Sequence, residues 1–425
     1  MKLKRIAFAV ILLVGITGVG MWSVSSYLAP RMPVAVMVKN GLPKTALAYA
    51  DAPPPFVVSI EKFTIAVTDA PYAGGTYELT KGQIPANTLL LMNVKREGTD
   101  YTAAASAFKI NFDDTVPNRV VVHRTKGDAP FSATVSAIEF DPTQVNVYKQ
   151  NWSLSTSQIG RSQDLRDANN RVYAEPDKRH SISFASYTAT GDVADPSTYY
   201  VTVLQSEYGH VEFHRYSTGG GKVAIQGQFT TIEARGDQFR TIRQPGAIIL
   251  WNKTTGIFGS FDYYDSVERD RTAIFTTMRT LDPMMDLGPL GYTAVLTGTD
   301  PNPTTITFQR GARSSSKMVR PFFITQMIEF LEGDSVTTQL VSLMSGDSSV
   351  ALDESGIDTD HAVAGLTSGG STINPILDEP GTPDINIGYI DAYFSGPNLI
   401  LEHTPLPDAG TMQTYAQIIN LRTQR

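Results

Sequence analysis

The chain of 425 residues contains no cysteine. That excludes disulfides as a source of stability and thioether-linked lipid attachment near the N-terminus. Charge is scarce: Asp, Glu, Lys and Arg make up 18% of the residues, below the usual quarter. One scarcity is local. Between Pro321 and Leu421 there is no Lys or Arg, while those 101 residues hold 14 Asp and Glu. Residues 1–320 carry 33 basic residues against 28 acidic ones, and the whole chain has a formal net charge of −7. No G-x-G-x-x-G, P-loop or G-x-S-x-G motif is present, so the common signatures of dinucleotide, nucleotide-phosphate and acyl-serine chemistry are missing. With six histidines there are few general bases, and no segment recurs at a fixed period.

What is present begins with Lys2, Lys4 and Arg5, followed by the apolar run Ile6–Trp22 that trails to Leu28. A basic flank ahead of roughly 20 apolar residues is an export or anchoring signal, with the cationic end retained in the cytoplasm. Residues 1–29 are read as a retained transmembrane helix, with Trp22 and Tyr27 at interface positions; cleavage after Ser26 is the alternative. Everything beyond would be periplasmic, extracellular or on a virion surface. Residues 30–55, with Pro30, Pro33, Pro43 and Pro53-Pro54-Pro55, read as a stalk.

From Phe56 onward the apolar pattern alternates with period two, and turn residues punctuate it every 10–15 residues. Examples are 56–67, 87–96, 118–124, 132–140 and 145–154, then 181–190, 198–207, 210–216 and 222–235. This spacing predicts a mainly β protein of antiparallel sandwich or barrel-like modules. Helices are expected only late in the chain, chiefly in the C-terminal third. They are 267–281, where Ile274, Met278 and Leu281 fall at helical spacing, then 318–333 and 335–346. Long polar loops are expected at 160–180 and 346–387. The resulting organisation is a β domain over 56–158, a second over 181–316, and an acidic α+β region over 317–425.

Candidate chemistry is sparse. On a strand, His210, Glu212 and His214 of HVEFHRY would share a face, an arrangement suited to Zn or Fe. The plain alternative is an outward polar face with Val211 and Phe213 inward. Asp353, Glu354, Asp358 and Asp360 surround Gly356 and would offer hard oxygen ligands to Ca²⁺, although their order is not that of an EF-hand. Ser314 and Lys317 match S-x-x-K formally, without its companion motifs. Asp262 and Asp265 lie among aromatics, and a glycosidase pair has no sequence signature of its own. Acidity and export argue against nucleic-acid binding.

Together these features favour a membrane-anchored, extracytoplasmic structural or interaction subunit of a surface or envelope assembly. A pilus or secretion component or a virion spike or coat protein would fit. No catalytic residue or cofactor is assigned, and Ca²⁺ is the one metal weighed. The expected partners are the membrane and other copies of the chain or other envelope or virion proteins, through acidic–basic complementarity. The alternative is an extracytoplasmic polysaccharide-acting hydrolase or a carbohydrate-binding module.

Overall fold

In the computed structural model the described residues are 54–96, 107–125, 127, 129–166, 172, 179–191, 193, 196–205, 209–248, 255–259, 266–281, 292–299, 301–310, 320–330, 334–343, 349–353, 357–366, 376–377, 390–402 and 412–424. The expected membrane segment and nearly all of the Pro-rich stalk lie outside them.

Among the described residues one six-stranded module recurs four times. The first is β1 Val57–Val67, β2 Gly74–Glu78, β3 Thr88–Arg96, β4 Lys109–Phe112, β5 Arg119–His123 and β6 Phe131–Phe140. The second is β7 Val145–Leu154, β8 Gly160–Asp164, β9 Ser181–Thr190, β10 Thr202–Gln205, β11 His210–His214 and β12 Ala224–Ala234. The third is β13 Phe239–Ile248, β14 Thr255–Gly259, β15 Thr272–Thr280, β16 Tyr292–Thr297, β17 Thr305–Arg310 and β18 Pro321–Phe330. The fourth is β19 Ser335–Leu343, β20 Ser349–Asp353, β21 Ala362–Leu366, β23 Asp391–Ser395, β24 Asn398–Glu402 and β25 Met412–Asn420, with the two-residue β22 Ile376–Leu377 added.

Within each module the first, sixth and third strands form a long sheet with the sixth in the centre. The second, fifth and fourth form a short sheet with the fifth in the centre. Every pairing between these strands is antiparallel. The copies start at Val57, Val145, Phe239 and Ser335, so loop lengths differ and no fixed period survives in the sequence.

Each long sheet is covered on both faces. One face packs on the module's own short sheet, as Trp152, Phe213 and Phe229 do in the second module. The other meets a core shared by all four modules, which includes Ile60, Ile138, Ile182, Ile232, Ala273, Ile328, Val363 and Ile419. Burial on both faces makes the central strands continuous apolar runs: in β6 and β18 nine of ten residues are buried.

That burial explains why the expected helices are strands instead. The apolar run of 318–333 contains β18, whose two covered faces erase period-two alternation. In 267–281, Ile274 and Met278 are four apart, which places them on one face of β15 as readily as on one face of a helix. The segment 335–346 contains β19, rich in Val and Thr. The expected long loops hold strands too: β8 begins at Gly160, and β20, β21 and β22 lie within 346–387.

Candidate functional site

The modules converge on a hub whose layers follow from strand register. In the first layer, Ile138, Ile232, Ile328 and Ile419 stand at the same position of the four central strands. Their neighbours are Ile60, Val147, Thr241 and Val336 on one side and Leu89, Ile182, Ala273 and Val363 on the other. Beside this layer Phe56 lies within 6.4 Å, ring to ring, of Phe140, Phe239 and Phe330. Between the two, and facing away from the core, come Glu139, Glu233, Glu329 and Asn420. The three glutamates are buried and fully spent on the fold. Glu139 accepts from the Ile84 amide at 3.1 Å, and Glu329 accepts from the matching Glu268 amide at 3.2 Å. Each thereby fixes the short 3-10 turn that leads into its module's third strand. Glu233 accepts from Tyr148 and Asn146.

Two residues along, on the hub face, each first strand presents a further equivalent position: Lys62, Lys149, Arg243 and Thr338. The three cations reach back to the module that precedes them in the cycle. Lys62 donates to the carbonyls of Thr359 and, at 2.9 Å, Ala362 in the fourth module. Lys149 donates to Pro85 in the first. Arg243 donates to Gln205 at 2.8 Å and Ser181 at 3.2 Å in the second. Thr359 and Pro85 are equivalent residues, as are Ala362 and Ser181, so one latch is used at three seams. In the third and fourth modules the adjacent central-strand residue is a glutamine. Gln326 brackets the Ser183 peptide groups (3.0 and 3.5 Å), and Gln417 brackets those of the equivalent Ile274 (2.9 and 3.0 Å).

The seam between the fourth and first modules closes the cycle. Asn93 donates to Ala364 and Ala392, and Lys95 pairs with Glu402 at 2.6 Å. Thr134 donates to the buried Asp391 at 2.8 Å. Val57 pairs with Thr423 in a parallel bridge, and Gln424 donates to Asp141 at 3.0 Å. Burial pushes the Asp391 carboxyl up to about 7, with Thr134 opposing. Burial likewise lowers Lys62 to about 8 against the pull of Asp360. The acidic C-terminal region thus meets basic residues of the same chain.

A cavity of about 80 Å³ opens at the hub, lined by residues of all four modules, among them Leu90, Lys149, Phe184, Phe275, Val363 and Gln417. Burial lowers the Lys149 ammonium to about 7.

The sequence-derived metal candidates lie apart from this hub. His210, Glu212 and His214 do share one face of β11, half-buried, with Val211 and Phe213 buried behind them. His210 lies 2.7 Å from Asp164, and His214 lies 3.3 Å from Glu212. Asp358 lies 2.8 Å from His361 and accepts from the Asp360 amide, while Asp353 ends β20 opposite Asn398. The two sets belong to different modules, and no group of three or more His, Cys, Asp or Glu that could hold a metal ion occurs among the described residues. Ser314, Lys317, Asp262 and Asp265 lie outside the described residues.

No known family model matches the chain, and no curated protein is similar to it. Its architecture is therefore read from its own internal repeat. The hub residues have a faint sequence signal: Ile-Glu-Phe, Ile-Glu-Ala, Ile-Glu-Phe and Ile-Asn-Leu stand at the ends of the four central strands, and an apolar-x-Lys pattern opens the first two modules, with Thr-Ile-Arg at the same place in the third.

Proposed function

We propose that the chain is a membrane-tethered, extracytoplasmic structural or interaction subunit of a surface or envelope assembly, of pilus, secretion or virion type. The observation that carries this reading is the head-to-tail latch. Each seam uses cations or side-chain amides of one module to hold backbone groups of the module before it. Such an arrangement fixes four β modules as one body, which suits a platform more than a site that must open and close. The basic-flanked apolar segment and the Pro-rich stalk would set that body off a membrane. The edges of the short sheets, β2 among them with its alternating exposed residues, would offer strand edges to partners.

The test is localisation and assembly of the full chain. A C-terminally tagged chain should stay with membranes in high salt and be cut by protease only from the non-cytoplasmic side. It should also leave mild detergent in a complex larger than one chain. A cytosolic monomer would refute the reading.

A further inference from the structure

Lys149 differs from its counterparts at the other seams, and the internal repeat makes the comparison fair. Lys62 donates to two carbonyls and has Asp358 and Asp360 close enough to favour its charge. Arg243 also reaches two carbonyls. Lys149 donates to Pro85 alone and lies 4.2 Å from the Phe112 ring centroid, with no charged side chain acting on it. Two of its three N–H groups are thus unspent among the described residues. A buried ammonium without a counter-charge is costly, and an anion is the natural remedy.

The same wall of the hub cavity supplies further hydrogen-bonding groups. Thr230 stands directly opposite Lys149 on β12, and Gln228 follows two residues away on the same face. Neither side chain has a hydrogen-bond partner among the described residues. Elsewhere the cavity wall includes the apolar Leu90, Met92 and Phe275. Its volume of about 80 Å³ exceeds what one water needs, roughly 10–15 Å³, and is about half that of a cavity that accepts benzene.

We propose that the hub cavity binds a short-chain organic carboxylate, its oxygens on Lys149, Thr230 and Gln228 and its aliphatic end against Leu90, Met92 and Phe275. This assignment is independent of where the chain resides or what it assembles with.

The probes are sodium acetate and the uncharged acetamide, titrated into the full chain at constant ionic strength by calorimetry and thermal melting. Acetate should bind once per chain and raise the melting temperature; acetamide should bind at least about tenfold more weakly, the equivalent of about 1.4 kcal/mol. Lys149→Met should abolish acetate binding. Gln228→Leu removes no hydrogen bond between modules and should weaken acetate binding in a folded chain, so it decides the matter if Lys149→Met does not fold. Equal binding of acetate and acetamide, no saturable acetate binding, or unaltered affinity in the folded variants would overturn the proposal.

Discussion

Gln326 and Gln417 each satisfy a buried N–H and a buried C=O of the neighbouring module, and such groups are expensive to strand. Replacing either by Leu should destabilise the chain by about 2–4 kcal/mol in urea unfolding. The seams they close share no partner, so the double variant should lose nearly the sum of the single effects. Asp391 predicts a pH dependence. Its folded carboxyl titrates near 7, above the ordinary carboxylate range, with Thr134, Lys95, Glu402 and Tyr393 around it. The folded state therefore holds an extra proton between about pH 4 and 7. Its contribution is fully present below the unfolded value and is lost as pH rises through 7. Lys62 and Lys149 act oppositely: their folded values near 8 and 7 lie below the free value, so stability recovers as pH rises from 7 toward 10. Melting temperature against pH should fall between 4 and 7 and then rise. Asp391→Asn should flatten the first limb and spare the second.

At the scale of elements, the sixth strand of each module bears most of the fold, since it pairs on both edges and is covered on both faces. Phe323, fully buried on β18, stacks on Phe308 at 4.8 Å. Phe323→Ala should cost about 3–5 kcal/mol, measured by the shift of the denaturant midpoint. The same strand shows what was legible in the sequence. Strands exposed on one face, such as β11 and the second half of β1, alternate cleanly, and the period-two pattern finds them. Two-sided strands lose alternation, and β15 and β18 consequently resemble helices until their partners are known. The hub was illegible for a related reason. Lys62, Lys149 and Arg243 look like ordinary strand cations until register shows that they occupy one position, and unequal loops hide their spacing. By contrast, His210, Glu212 and His214 stood out by residue type, and the predicted shared face is there.

At the scale of the whole molecule, the charge split between residues 321–421 and the rest has an internal outlet, because Lys62 and Lys95 meet the acidic fourth module. Salt should therefore weaken the closing seam as well as any contact between copies; the ion pair Lys95–Glu402 is partly exposed and open to screening. The central claim is that the first and fourth modules close the cycle within one chain. The absence of native cysteine makes a direct test clean: place cysteines at Lys95 and Glu402, 307 residues apart in sequence, and treat the dilute full chain with a short bifunctional thiol reagent. The account predicts a crosslink formed within single chains, seen by mass spectrometry of the monomer band and independent of protein concentration. Crosslinking only between chains, or none in the folded protein, would contradict it.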